Sequence, residues 1–408
     1  MITDQTPSSS WKRSFLTIVI GQTFSLIGSS AAQFALIWWL ASETGSPLLM
    51  AFSGLLAFLP QLLLGPFAGV WIDRWPRKYV TISADLFIGL VALAFAGYFH
   101  FAQPPYWSAC LVLGLRAIGS VFHTPAIQAI VPLLVPREEL VRANGWSQFM
   151  QSGAFMLGPV LGAALYAVLP LYAIMIFDFV GAVIASLCMA VITVPEVPIA
   201  ADRTPHFFSE LRAGAAIFVQ DKRLLTTTLT ATICMVFFLP LSSYYPLMSS
   251  SHFNVSALHG SLVEFLYAAG MMGSALLIST LGDIRRKFLV VQLGLVGIGI
   301  TSIIAGLLPA QMWAFWIFAV VCAFMGASGN VYNIPYMAYL QETVPPEALG
   351  RVFSLIGSLM SLSMPVGLLI SGPIAEKYGV PLWFLVTGIM TLAATAVNAL
   401  ILKHLDDR

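Results

Sequence analysis

The chain has 408 residues, of which 59% are apolar and only 9% charged, against roughly 45 to 50% apolar in soluble domains. That balance excludes an ordinary water-soluble enzyme. Its 19 Lys and Arg offset 18 Asp and Glu to leave a net charge of +1, which gives no reason to expect nucleic acid or an acidic partner. Cys110, Cys188, Cys234 and Cys322 fall in apolar runs without metal-like spacing, so neither a disulfide framework nor a metal or other cofactor is expected. No G-x-x-x-x-G-K-[ST] loop is present, so ATP is not the expected energy source.

A membrane-crossing helix needs about 20 apolar residues. Cut at charge, Pro and Gly punctuation, the chain yields twelve such spans, near residues 15–40, 48–72, 79–100, 107–134, 143–168, 172–194, 224–248, 259–282, 288–308, 312–341, 352–375 and 381–402. Lys12 and Arg13 lead into a first run too long for a signal peptide and lacking a cleavage pattern, so this span is expected to stay. With the N-terminus in the cytoplasm, every Lys and Arg except Arg116 and Lys377 falls on the cytoplasmic side, which fixes the expected orientation, both termini inside.

The turn after the second span reads Asp73-Arg74-Trp75-Pro76-Arg77-Lys78, and the turn after the eighth reads Asp283-Ile284-Arg285-Arg286-Lys287. Asp73 and Asp283, Arg77 and Lys287, Pro125 and Pro335, and Pro136 and Pro346 stand at one common offset. One helical unit is written twice. The sequence thus predicts an all-α membrane protein of twelve transmembrane helices in two pseudo-symmetric six-helix halves, residues 1–194 and 224–408, joined by a cytoplasmic linker at 195–223. Within the linker Phe207, Phe208, Leu211, Ala215 and Phe218 recur at helical spacing, predicting an interfacial helix that tethers the halves. A duplicated hydrophobic unit of this kind marks a secondary transporter whose halves rock about a central site. A monomer is sufficient for that.

The Asp73 turn has two readings. Its carboxylate meets Arg77, or the N-terminus of a helix beginning near Arg351, and latches the halves on the cytoplasmic side; or the turn is solvated and its charges serve topology. Asp85, inside the third span, is expected in the same cluster as a partner of Arg74 or Arg77. Deeper ionisable residues cost about 2.5 to 3.5 kcal/mol each on the insertion scale, so each is a functional candidate. Arg116 and Asp178 lie at nearly equal depth from the outer ends of their spans and are expected to pair, as a clamp or as part of proton coupling. Glu264, with no basic residue in its span, is the other candidate proton carrier; the alternative is a solvated carboxylate at a cavity mouth. Ser120 and His123 share a helical face with Arg116, and the repeat maps them onto Asn330 and Asn333, so two polar stripes are expected to line a cavity.

Gly69-Val70-Trp71-Ile72-Asp73-Arg74-Trp75-Pro76-Arg77-Lys78 resembles the loop signature of the major facilitator superfamily, with Pro76 in place of the usual Gly. Leu113-Gly114-Leu115-Arg116-Ala117-Ile118-Gly119 is similar to its span-four signature. Gly158-Pro159-Val160-Leu161-Gly162 resembles the span-five signature of its antiporters, which implies a helix-packing role for Gly158, Pro159 and Gly162. Nearly end to end, the chain is similar to the macrolide-efflux (Mef-type) branch, through Ala57-Phe58-Leu59-Pro60, Phe122-His123-Thr124-Pro125-Ala126, Pro132-Leu133-Leu134-Val135-Pro136 and Gly350-Arg351-Val352-Phe353-Ser354-Leu355-Ile356-Gly357-Ser358. This resemblance implies proton-coupled export of bulky amphipathic drugs, macrolides first, across a bacterial plasma membrane. It also implies a cavity walled by spans one, four, seven and ten, which adds Gln33, Tyr244, Tyr245, Tyr332 and Tyr336 as wall residues, their rings suited to a cationic drug. Export of a siderophore or lysolipid is the alternative on the same scaffold, and a non-transporting sensor the alternative of another class.

Overall fold

Inside a bilayer the backbone can satisfy its N–H and C=O groups only internally, and helices do so within a single segment. The computed structural model describes residues 11–102, 104–136, 140–195, 221–281, 286–343 and 346–406. In chain order these form α1 (Trp11–Thr44), α2 (Pro47–Arg74), α3 (Arg77–Phe101), α4 (Trp107–Leu134), α5 (Leu140–Val168) and α6 (Leu171–Val191). Then come α7 (Lys222–Phe238), α8 (Leu241–Leu247), α9 (Ala257–Leu281), α10 (Lys287–Leu307), α11 (Met312–Thr343), α12 (Pro346–Tyr378) and α13 (Val380–Asp406). Eleven helical runs among the described residues are long and apolar enough to cross a membrane, and Gly153–Val168 of α5 adds a shorter apolar helix. This is the all-α membrane architecture expected, with no strand among the described residues.

The seventh expected span is not one smooth helix. Pro240, lacking an N–H, interrupts it between α7 and α8. A π-helical turn, Met248–His252, then ends the run with Phe253 N–H donating to the Met248 carbonyl at 3.1 Å. Other helices outrun their apolar cores, α1 and α12 by several residues at each end, because backbone bonding continues into the interface. The predicted linker helix lies outside the described residues. Asp221, just after it, caps α7 by accepting from the N–H groups of Arg223 at 2.9 Å and Leu224 at 3.1 Å.

Contacts divide the chain into two units. The first holds Met1–Trp39 and Leu59–Pro205; the second holds Leu40–Phe58 and His206–Arg408. In the first, α3 packs on α4 and α6; in the second, α10 packs on α11 and α13. One glycine serves each pairing at the repeat offset. A Cβ on Gly89 would meet that of Ala182 at 2.8 Å, and one on Gly299 would meet the Leu392 side chain at 2.6 Å, so only a hydrogen lets the helices approach. Residues 40–58 join the second unit through the start of α2. The Glu376 carboxylate of α12 accepts from Leu48 N–H at 2.9 Å and from the Ser46 hydroxyl at 2.8 Å, a charged cap on the α2 N-terminus.

Large apolar side chains such as Val191, Leu276 and Leu277 stand exposed on the helix surfaces, as a lipid-solvated protein requires. Trp75 and Tyr79 at one helix turn, and Trp107, Trp313 and Tyr378 at others, are exposed near helix ends, where amphipathic rings suit the headgroup region.

Candidate functional site

The interior charges are placed by the helix stripes that carry them. Asp178 belongs to the buried face of α6 with Ile174, Met175, Gly181, Ala182 and Ala185, a set at helical spacing that turns the acid inward. Arg116 follows buried Val112 and Leu113 on α4 and faces it. Arg116 Nη1 and Asp178 Oδ2 form an ion pair. Ser29 of α1 completes the group: its hydroxyl donates to Asp178 Oδ1 at 2.7 Å, and its carbonyl accepts from Arg116 Nη2 at 3.2 Å. Both carboxylate oxygens are thereby satisfied, which is what lets a buried pair offset its desolvation.

A second polar group lies in the same unit. Asp85 sits on the buried face of α3 with Thr81, Ala84, Gly89 and Ala92. It accepts from Gln22 Nε2 at 2.9 Å and stands 3.1 Å from His123 Nε2. His123 Nε2 also lies 3.0 Å from Gln22 Oε1. The side chain of Arg74, one partner the sequence suggested, lies outside the described residues; among those residues Asp85 meets Gln22 and His123 and not Arg77, the other. Two turns into α3, it is rotated toward α1 and α4, while Arg77 Nη1 donates to the Ala129 carbonyl of α4 at 3.0 Å. Lys78 Nζ donates to the carbonyls of Ala190 and Ile192, each at 2.7 Å, so the basic end of α3 caps the C-terminus of α6.

Beside this group, α1, α4 and α5 enclose a cavity of about 380 Å³, within the usual range for small-molecule pockets of about 300 to 1,000 Å³. Gln22, Thr23, His123, Thr124, Gln128, Ser147 and Gln151 supply its polar lining, set among Ile, Val, Leu, Met and Phe side chains. His123, assigned to a cavity wall from sequence, lies on this one.

The second unit is built differently. Tyr244, Tyr245, Tyr332 and Tyr336 are 0%, 5%, 4% and 1% exposed, which makes them interior packing rather than open wall. The Tyr244 hydroxyl bonds to Ser371 Oγ at 2.8 Å and that of Tyr336 to Thr228 Oγ1 at 2.7 Å. The Tyr245 hydroxyl donates to Met325 Sδ at 3.3 Å. Tyr332 stacks on Tyr336 with centroids 5.6 Å apart, and Tyr245 lies 5.8 Å from Tyr267. Rings this apolar bury readily once the hydroxyl finds a partner, as those of Tyr244, Tyr245 and Tyr336 do. Asn330 donates to the Met271 carbonyl at 2.7 Å, whereas Asn333 and Gln33 are exposed, and Ser120 bonds back to the Arg116 carbonyl at 3.2 Å. Glu264, one helical turn before Tyr267 on α9, is half-buried and makes no hydrogen bond or ion pair among the described residues.

The Major Facilitator Superfamily model matches residues 18–303 and 241–407, two overlapping stretches. The chain belongs to the Major Facilitator Superfamily. It is 39% identical over 404 residues to macrolide efflux protein A of Streptococcus pyogenes, covering 98% of both chains. Against macrolide efflux protein A of Enterococcus faecalis the identity is 39% over 328 residues, 79% of this chain and all of that one. Among solved structures it resembles a bacterial homologue of the iron transporter ferroportin, with a TM-score of 0.71 at 18% identity over 97% of this chain and 99% of that one. That likeness speaks for the fold alone. As a superfamily member the chain is a multi-pass membrane transporter.

The superfamily's span-five signature has a visible cause here. A Cβ on Gly158 would collide with the Ser30 side chain, and one on Gly162 would lie 3.0 Å from Ala31 Cα. Gly158 and Gly162 thus bring α5 against α1 near the Ser29 bonds to Arg116 and Asp178, with Pro159 between them inside the helix. The side chains of Asp73 and Arg74, and the whole of Asp283, lie outside the described residues, and the latch expected there with them. Among the described residues no group of three or more His, Cys, Asp or Glu side chains is placed to hold a metal ion. Gln22 and Ser29 were missed from sequence, because uncharged polar residues in an apolar run carry no large insertion cost to mark them.

Proposed function

We propose that this protein exports bulky amphipathic drugs, macrolides first among them, by alternating access in exchange for protons. The observation that carries the reading is the 39% identity to macrolide efflux protein A across 98% of both chains. It works in a bacterial plasma membrane as a monomer, termini inside, with halves 1–194 and 224–408 rocking about linker 195–223. The Arg116–Asp178 pair tightens and loosens as drug and proton exchange, and Glu264 is the second acid able to carry a proton. One proton for each monocationic drug makes the exchange electroneutral, driven by about 1.4 kcal/mol per pH unit; a second proton adds about 2.3 kcal/mol per 100 mV of potential.

The test is efflux of a labelled macrolide from cells expressing the wild-type chain, with and without an uncoupler. Uncoupler-sensitive efflux is expected, and its reduction in Asp178→Asn and Glu264→Gln. Uncoupler-insensitive export would sink the antiport reading, and unchanged export in both variants would remove the acids from it. Export of a lysolipid but of no macrolide would move the protein to the endogenous-solute reading.

A further inference from the structure

We infer that His123, backed by Asp85 and Gln22, is a proton-binding site on the wall of the first unit's cavity. The inference rests on the proton-exchange reading above. Three observations meet at this histidine. It lines the cavity between α1, α4 and α5. Its Nε2 lies 3.1 Å from a carboxylate oxygen of buried Asp85 and 3.0 Å from the Gln22 amide oxygen. And the Gln22 amide nitrogen is committed to the other Asp85 oxygen at 2.9 Å.

Those contacts set the tautomer. With Gln22 donating to Asp85 through Nε2, its oxygen is an acceptor, so His123 Nε2 faces two acceptors and carries the hydrogen. The basic lone pair is then on Nδ1, which has no hydrogen-bond partner among the described residues. A proton from water binds that lone pair and turns the ring into an imidazolium, whose new charge is neutralised by Asp85; on the other side of the membrane the same proton returns to water. Histidine is the side chain that ordinarily changes charge between pH 5 and 8, and Gln22 orients both partners without titrating.

The charged and titratable groups on the surrounding helices leave Asp85 as the one in contact with His123 among the described residues. On α3, Arg77 and Lys78 donate to backbone carbonyls. On α4 and α6, Arg116 and Asp178 pair with each other, and Cys188 packs toward Gly21 of α1. Lys12 and Arg13 lie in the first turn of α1, and the side chains of Asp73, Arg74 and Arg142 lie outside the described residues. A cationic drug drawn toward Asp85 through the cavity is repelled once His123 is protonated. Drug and proton therefore exclude one another, as exchange requires.

The experiment uses purified protein in proteoliposomes with radiolabelled erythromycin. Wild type is expected to accumulate the drug about tenfold in an acidic lumen per unit of pH gradient, the ratio for one-for-one exchange, and to release a proton on binding drug in weakly buffered detergent near pH 7. His123→Gln and Asp85→Asn are expected to lose both, compared with wild type at drug concentrations that saturate each variant, in protein that keeps a monodisperse peak in detergent chromatography. Gradient-driven accumulation in His123→Gln equal to wild type overturns the proposal. If His123→Gln is not monodisperse, Asp85→Asn decides by the same comparison. Wild type that ignores the gradient overturns the proton-exchange reading itself, and this site with it.

Discussion

The two units repeat one helix plan and fill it with opposite chemistry. In the first, Arg116, Asp178 and Asp85 place charge in the centre, with His123 beside Asp85. At the repeat offset stand Gly326, Gly388, Leu295 and Asn333. Gly326 abuts the Tyr267 carbonyl of α9, a Cβ on Gly388 would lie 2.5 Å from the Gly299 carbonyl, and Leu295 is fully buried. The second unit therefore holds its helices by backbone contact and ringed apolar packing, where the first uses bonds between charges. Duplication supplied the scaffold, and divergence concentrated the titratable groups on one side of it.

Substitutions that move chemistry across this divide test it most severely. Gly326→Arg, which writes the first unit's cation into the second, drives its side chain into the α9 backbone at Tyr267; it should cost more than about 4 kcal/mol and abolish the monodisperse peak in detergent chromatography. Arg116→Met strands Asp178 and should cost about 3 to 5 kcal/mol in equilibrium unfolding. Adding Asp178→Asn to it should restore part of that loss. Additive losses would mean the pair is not coupled. Gly162→Val should cost about 1 to 3 kcal/mol by forcing α5 off α1, whereas Gly153→Val on the same helix, with nothing within 4 Å of its added Cβ, should stay within about 0.5 kcal/mol.

Smaller effects are expected where the second unit is probed on its own terms. Tyr336→Phe removes one of the two hydrogen bonds of Thr228 Oγ1, which keeps its bond to the Leu224 carbonyl at 2.7 Å, and should lower stability by about 0.5 to 1.5 kcal/mol, with Thr228→Val costing less on that background than alone, by thermal unfolding in detergent. Glu264→Gln breaks no bond to a described partner. Its stability should match wild type within about 0.5 kcal/mol, which makes any change in its transport a change in coupling rather than in folding.

Length, hydropathy and internal repeat made the membrane architecture legible, because about 20 apolar residues per crossing leave little choice of element. Depth along the spans was enough to bring Arg116 and Asp178 together. Rotation was the harder matter. Asp85 was assigned to the basic turn because it is near it in sequence, yet at about 3.6 residues per helical turn the stripe it shares with Ala84 and Ala92 points it to α1 and α4. The tyrosines were read as wall because they lie on helices expected to line a cavity. Which side of such a helix meets a neighbour depends on close approaches like that of Gly326 to Tyr267, and no single span encodes its partner. Gln22 and Ser29 show the same gap from the other side, each being a neutral residue whose importance lies wholly in what stands opposite.

That every described partner of the first unit's buried charges lies within that unit bears on how the chain enters the membrane. Arg116 and Asp178 are 62 residues apart, and at about 5 to 20 residues per second the ribosome delivers the acid on the order of 3 to 12 s after the arginine. The nascent half is able to neutralise itself before the second begins to emerge. The later spans carry no charged residue through their helix middles apart from Glu264, so the costly part of biogenesis is finished by the time the linker is made.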